Sequence, residues 1–132
     1  MIKMLVVFIL VYSAALCNAQ DQSSIKLQCE GTYNDFSTPN LRDIPVKGIY
    51  IEISGDRVTV AGAPGFDSVY SVISRLDDGL GFQLNSNISY GGFLNRFSGE
   101  LNLMEKGKVS KDGSYKIRQL LSAHCINARA LF

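Results

Sequence analysis

The chain has 132 residues, with 13 Lys and Arg against 12 Asp and Glu and no tryptophan. That length fits a single domain, and the near-zero net charge lacks the electrostatic footprint of a nucleic-acid-binding protein, so no nucleic-acid partner is expected. Without its leader the chain keeps roughly 110 residues, enough to bury about two-thirds of the unfolded surface in a real core.

Residues 1–19, "MIKMLVVFILVYSAALCNA", carry a lysine at position 3, an apolar run from Met4 to Val11, and small residues up to Ala19. This is the pattern of a secretory signal peptide cleaved after Ala19, which predicts one mature domain over 20–132. The apolar run is shorter than the roughly 20 residues of a spanning helix, so no membrane span is expected after cleavage. Cys17 follows Leu16, where a lipoprotein signal wants a small residue. Cleavage leaves Cys29 and Cys125, and an isolated pair in an oxidising compartment predicts a disulfide. No Cys-x-x-Cys spacing suggests a redox pair.

Strand signals follow one another along the chain. In "SIKLQCEGTY" (24–33), Ile25, Leu27, Cys29, Gly31 and Tyr33 alternate with Lys26, Gln28, Glu30 and Thr32, the period of a half-buried strand. A loop bearing Asn and Pro leads to "VKGIYIEISGDRVTVAG" (46–62). Here a turn on Gly55-Asp56 pairs Ile53 with Val58 and Ile51 with Val60 on one face. For "SVYSVISRLDDGLGFQLNSN" (68–87) a three-residue turn, Asp77-Asp78-Gly79, keeps the apolar residues together by pairing Leu76 with Leu80, Ser74 with Phe82 and Val72 with Leu84. Then "GFLNRFSGELNL" (92–103) reads as one strand with Phe93, Phe97, Leu101 and Leu103 on one face. Asn95 and Gly99 interrupt that face. The reading makes Gly99 an inward bend and Asn95 a rim residue bonding loop backbone. After the polar turn "EKGKVSKDG", the last strand places Tyr115, Ile117, Leu121, Ala123 and Cys125 together. Both cysteines then lie on apolar faces, joining the first and last strands from inside. The predicted fold is all-β, a small antiparallel meander of about seven or eight strands closing into a barrel, with a sandwich as the alternative.

Residues for chemistry are few. His124 is the single histidine and lies on the polar face of its strand. Asp77-Asp78 is explained by turn chemistry, and no glycine-rich phosphate loop opens a helix. Asn87-Ile88-Ser89 fits a glycosylation sequon but reads as loop. No catalytic residue, cofactor or metal site is assigned. Tyr50 and Arg96, opposite the apolar Ile49, Ile51 and Phe97, form the candidate binding surface, since aromatics and arginines often anchor partners.

Three segments, "LQCEG" (27–31), "LNRFSGEL" (94–101) and "HCINARALF" (124–132), resemble a pattern in small exported bacterial β proteins of unassigned function. That pattern combines a Cys-x-Gly early strand, an Asn-Arg-x-Ser/Thr-Gly strand and a late cysteine followed by Phe. The resemblance implies a periplasmic or secreted location and brings no catalytic residues. A weaker similarity is to the periplasmic inhibitors of c-type lysozyme, compact barrels with joined terminal cysteines. Their Ser-Gly-x-x-Tyr motif is missing at Ser54-Gly55 and at Ser98-Gly99. The function expected is that of a non-enzymatic, monomeric binding or accessory protein whose partner is a protein or an envelope component. The alternatives are a lysozyme-inhibitor-like protein and a lipocalin-like carrier of a small apolar ligand, although bulky inward residues predict a filled core.

Overall fold

The computed structural model describes residues 24–127, so the proposed leader lies outside the described residues. Eight strands follow one another: β1 (Ile25–Asp35), β2 (Ile44–Ser54), β3 (Arg57–Ala61), β4 (Ser68–Leu76), β5 (Gly79–Gln83), β6 (Tyr90–Asn95), β7 (Glu100–Lys106) and β8 (Ile117–Asn127). Each strand pairs antiparallel with the next, and β8 pairs with β1, giving a closed meander barrel. Closure leaves no sheet edge of the described residues open to another chain. Among the described residues, no helix is long and apolar enough to cross a membrane.

The alternation in the sequence drives this closure. In β2, Ile49, Ile51 and Ile53 are buried while the residues between them are more exposed, because successive side chains of a strand point to opposite faces. The β2–β3 hairpin has the expected register, Ile51 opposite Val60 and Ile53 opposite Val58. Those residues meet Tyr70, Phe82, Leu101, Leu103 and Leu121 in one buried core. Cys29 and Cys125 are directly opposite each other on β1 and β8 and form the expected disulfide. A covalent bond therefore fastens the seam between β1 and β8.

Two turns differ from expectation. The β4–β5 turn contains only Asp77 and Asp78, with Leu76 opposite Gly79, Arg75 opposite Leu80 and Val72 opposite Phe82. An irregularity between Val72 and Ser74 supplies the missing residue and leaves Ile73 exposed. A bulge thus restores the inward parity that the longer turn was expected to provide. Gly79 serves a close approach, since a Cβ there would stand 2.0 Å from the Leu94 carbonyl oxygen.

The stretch 92–103 is a hairpin, not one strand. β6 ends at Asn95, residues 96–99 turn, and β7 starts at Glu100. The pairing sets Leu94 opposite Leu101 and Phe93 opposite Asn102. Leu94 is therefore the inward residue, Phe93 takes the opposite face, and Phe97 is 74% exposed at the turn. Gly99 is a turn glycine with φ +76° and not a bend within a strand. Tyr115, expected on the inward face of the last strand, precedes β8 and is exposed.

Candidate functional site

The two ends of the barrel differ. One carries the short turns β2–β3, β4–β5 and β6–β7, beside the start of β1 and the end of β8. The other carries the longer loops 36–43, 62–67, 84–89 and 107–116.

The loop end carries a bonded polar cluster beside packed aromatic rings. Glu105 of β7 is 8% exposed, and its Oε1 accepts a 2.6 Å hydrogen bond from Gln119 Nε2. Gln119 Oε1 in turn accepts a 2.6 Å bond from the Tyr33 hydroxyl. Phe66 packs edge-on against Tyr33 and Tyr90 at centroid distances of 6.4 and 6.0 Å. Burial, followed by nearby carboxylates, pushes the Tyr33 and Tyr90 hydroxyls above the ordinary tyrosine range. A polar group taken out of water is tolerated when bonded. Gln119 falls on the inward parity of its strand in the sequence, and a glutamine at that parity was the available signal. Glu105, read as part of a polar turn, shares the parity of Leu101 and Leu103 and so carried the same signal.

The turn end is open. A depression of about 860 Å³ is lined by Ile25, Ile53, Leu76, Leu80, Leu94 and Phe97, with Arg75, Arg96 and His124 also on its wall and, among the described residues, no carboxylate in its lining. The β6–β7 turn shapes one side of it. Asn95 Oδ1 accepts hydrogen bonds from the backbone N–H groups of Phe97 (2.9 Å) and Ser98 (3.0 Å). The Asn95 carbonyl accepts a bond from Gly99 N–H at 3.0 Å, and the Gly99 carbonyl accepts one from Cys125 N–H at 2.8 Å. Arg96 N–H donates to the Asp78 carbonyl at 2.7 Å, tying this turn to the β4–β5 turn. These bonds hold the Phe97 ring out at the rim, with the Arg96 guanidinium carbon 4.9 Å from its centroid. Arg75 donates to the Gly55 carbonyl (2.7 Å) and to Asp56 (3.1 Å), bracing the β2–β3 turn.

The structure thus brings Asn95, Arg96, Gly99 and Cys125 to one opening. It leaves Tyr50 elsewhere, on the side wall opposite Gln28 and Ala61, where its hydroxyl donates to Glu52 at 3.2 Å. His124 stands between Glu30 of β1 and Glu100 of β7 in register. Among the described residues, no group of three or more His, Cys, Asp or Glu is placed to hold a metal ion. What sequence reading missed is the apolar wall of the opening, because Ile25, Ile53, Leu80 and Leu94 are distant in the chain and converge only through barrel closure.

Chemically, the opening offers an apolar surface with a guanidinium at its edge. Comparison with protein-family models, with curated proteins and with solved structures finds no match to this chain.

Proposed function

We propose that this chain is a non-enzymatic binding protein of the envelope or secreted space, holding an apolar chain with an anionic head group at the turn end of its barrel. The opening carries this reading: aliphatic side chains line it, the Arg75 and Arg96 guanidinium groups edge it, and among the described residues its lining holds no carboxylate, Asp56 being engaged with Arg75 beside it. Concave, mostly apolar sites with a few placed polar groups are the usual form of small-ligand sites. Below the opening, Ile51, Val58, Tyr70 and Leu101 fill the barrel. The ligand therefore rests in the mouth and does not thread the interior as in a lipocalin. Export is supported by the signal-like leader at 1–19 and by a disulfide of the kind that persists in oxidising compartments.

The test is a fluorescence titration with dansylaminoundecanoic acid, an anionic probe with an apolar chain. Saturable, blue-shifted emission is expected, with displacement by a long-chain fatty acid. Ile25→Glu and Leu76→Glu, at positions more than half exposed, should abolish it without unfolding the barrel. Arg96→Ala should weaken the acid and leave the corresponding alcohol unaffected, while Tyr50→Ala binds like the parent. Absence of saturable binding, or mouth variants indistinguishable from the parent, would refute the proposal.

A further inference from the structure

The near-neutral chain conceals a lopsided distribution of charge. Residues 106–118 hold five of the 13 basic side chains, Lys106, Lys108, Lys111, Lys116 and Arg118, but only Asp112 of the 12 acidic ones. All of them sit in the connection between β7 and β8 and at its borders, where Glu105 pairs with Arg118 at 3.7 Å. Asp35, Asp43 and Asp67 lie in or beside the other loops of this end, so the basic excess belongs to the β7–β8 connection and its exposed Lys108, Lys111 and Lys116.

This connection has a defined shape. Gly107 N–H donates to the Lys116 carbonyl at 2.6 Å and Ser110 N–H to the Ser114 carbonyl at 2.7 Å, so the loop folds back on itself. Asp112 is engaged locally, accepting from the Ser114 N–H (3.0 Å) and hydroxyl (2.7 Å). That engagement holds its carboxyl below the usual carboxylate range. Lys108, Lys111 and Lys116 are exposed. The same loop exposes Val109 (64%), and Lys106 N–H bonds the Ser89 carbonyl at 2.8 Å, which brings the loop carrying Ile88 (71% exposed) alongside. Ile88, Lys108, Val109 and Tyr115 border a common depression.

From this combination we propose that the β7–β8 connection, with the loop carrying Ile88 beside it, is a docking surface for an anionic lipid bilayer. Clustered lysines are attracted to the negative potential of such a surface. Apolar side chains standing between them gain by entering the boundary between head groups and acyl chains, as in interfacial segments. A soluble polyanion would neutralise the lysines and leave Val109 and Ile88 in water. Charge and exposed apolar groups together thus favour lipid over a soluble acidic polymer. In the docked protein the opposite end, with its mouth, points away from the bilayer.

The experiment is co-sedimentation of the exported, disulfide-bonded protein with phosphatidylcholine vesicles, with and without phosphatidylglycerol. Binding is expected only with the anionic lipid and should weaken as salt rises. Lys108→Ala combined with Lys111→Ala should lower the partition coefficient roughly 25-fold, at roughly fivefold per cation removed. Val109→Ser, which removes the apolar side chain without adding charge, should weaken binding to vesicles yet barely change retention on a soluble sulfated polysaccharide. Circular dichroism confirms that each variant is folded. Equal sedimentation with and without phosphatidylglycerol, no sedimentation at all, or a double lysine variant that binds like the parent would overturn the proposal. So would tighter retention on the polysaccharide with no effect of Val109→Ser on vesicles, which would assign the surface to a soluble polyanion.

Discussion

Gly99 shows how one residue fixes the geometry of the open end. Its φ of +76° lies in the left-handed region, and an added Cβ would stand 2.6 Å from the Cys125 carbonyl oxygen. Any side chain meets both obstacles, so Gly99→Ala should lose nearly as much stability as Gly99→Val, about 1–3 kcal/mol in each case. A glycine inside an ordinary strand would behave the other way, with valine stabilising as the better strand former. Chemical denaturation of the two variants separates the cases: valine equal to or above the parent would rule out a turn role. Asn95 complements Gly99, since its side chain accepts the two N–H groups that the turn turns inward. An asparagine followed four residues later by glycine is thus a turn signature.

At the scale of elements, the sequence was legible wherever alternation and turn chemistry agree. The β2–β3 hairpin, the apolar faces carrying Cys29 and Cys125, and the antiparallel closure follow from patterns within single strands. The β6–β7 hairpin was hidden because Phe93, Phe97, Leu101 and Leu103 continue an alternating rhythm straight through the turn. The four turn residues shift which parity faces inward, and only the partner register reveals it. The same holds for the bulge at Ile73, since a bulge is defined by two residues opposing one on a neighbouring strand. Of the candidate site, Arg96 was visible as an exposed cation beside an aromatic, whereas the converging aliphatic wall was not. The hairpin makes a prediction that the single-strand reading reverses. Leu94→Ala removes a buried side chain (6% exposed) and should cost about 2–4 kcal/mol. Phe93→Ala, on the outer face, should cost about 1 kcal/mol through lost cross-strand contact. Urea unfolding of both decides it, and a larger loss at Phe93 would restore the single strand.

As a whole, the barrel is fastened in two different ways. The disulfide joins residues 96 apart in sequence and, in the chain-entropy model, can contribute up to about 4.7 kcal/mol by restricting the unfolded state. The tyrosines fasten it noncovalently, and this half depends on pH. Tyr70 is 1% exposed, and its hydroxyl donates to the Phe66 carbonyl at 2.7 Å. Burial, followed by nearby Tyr90 and Asp67, raises its pKa far above the ordinary 10.0, and Tyr33 and Tyr90 are raised as well. A group whose native pKa lies above its unfolded value keeps its full contribution below the unfolded pKa. Above it, the unfolded chain releases protons that the native barrel retains, so stability falls as pH rises. The alkaline limb should therefore begin near pH 10, the unfolded tyrosine value, and steepen as the three hydroxyls contribute. Tyr70→Phe lowers stability at neutral pH by about 1 kcal/mol, because the Phe66 carbonyl loses its donor. It should also reduce the alkaline slope by about one proton, roughly 1.4 kcal/mol per pH unit. The slope is the informative quantity, since a purely structural loss shifts the whole curve and leaves its shape intact. Urea unfolding at successive pH values, followed alongside tyrosinate absorbance, gives both numbers; a Tyr70→Phe curve parallel to the parent's above pH 10 would mean that this hydroxyl is not what the barrel loses in alkali.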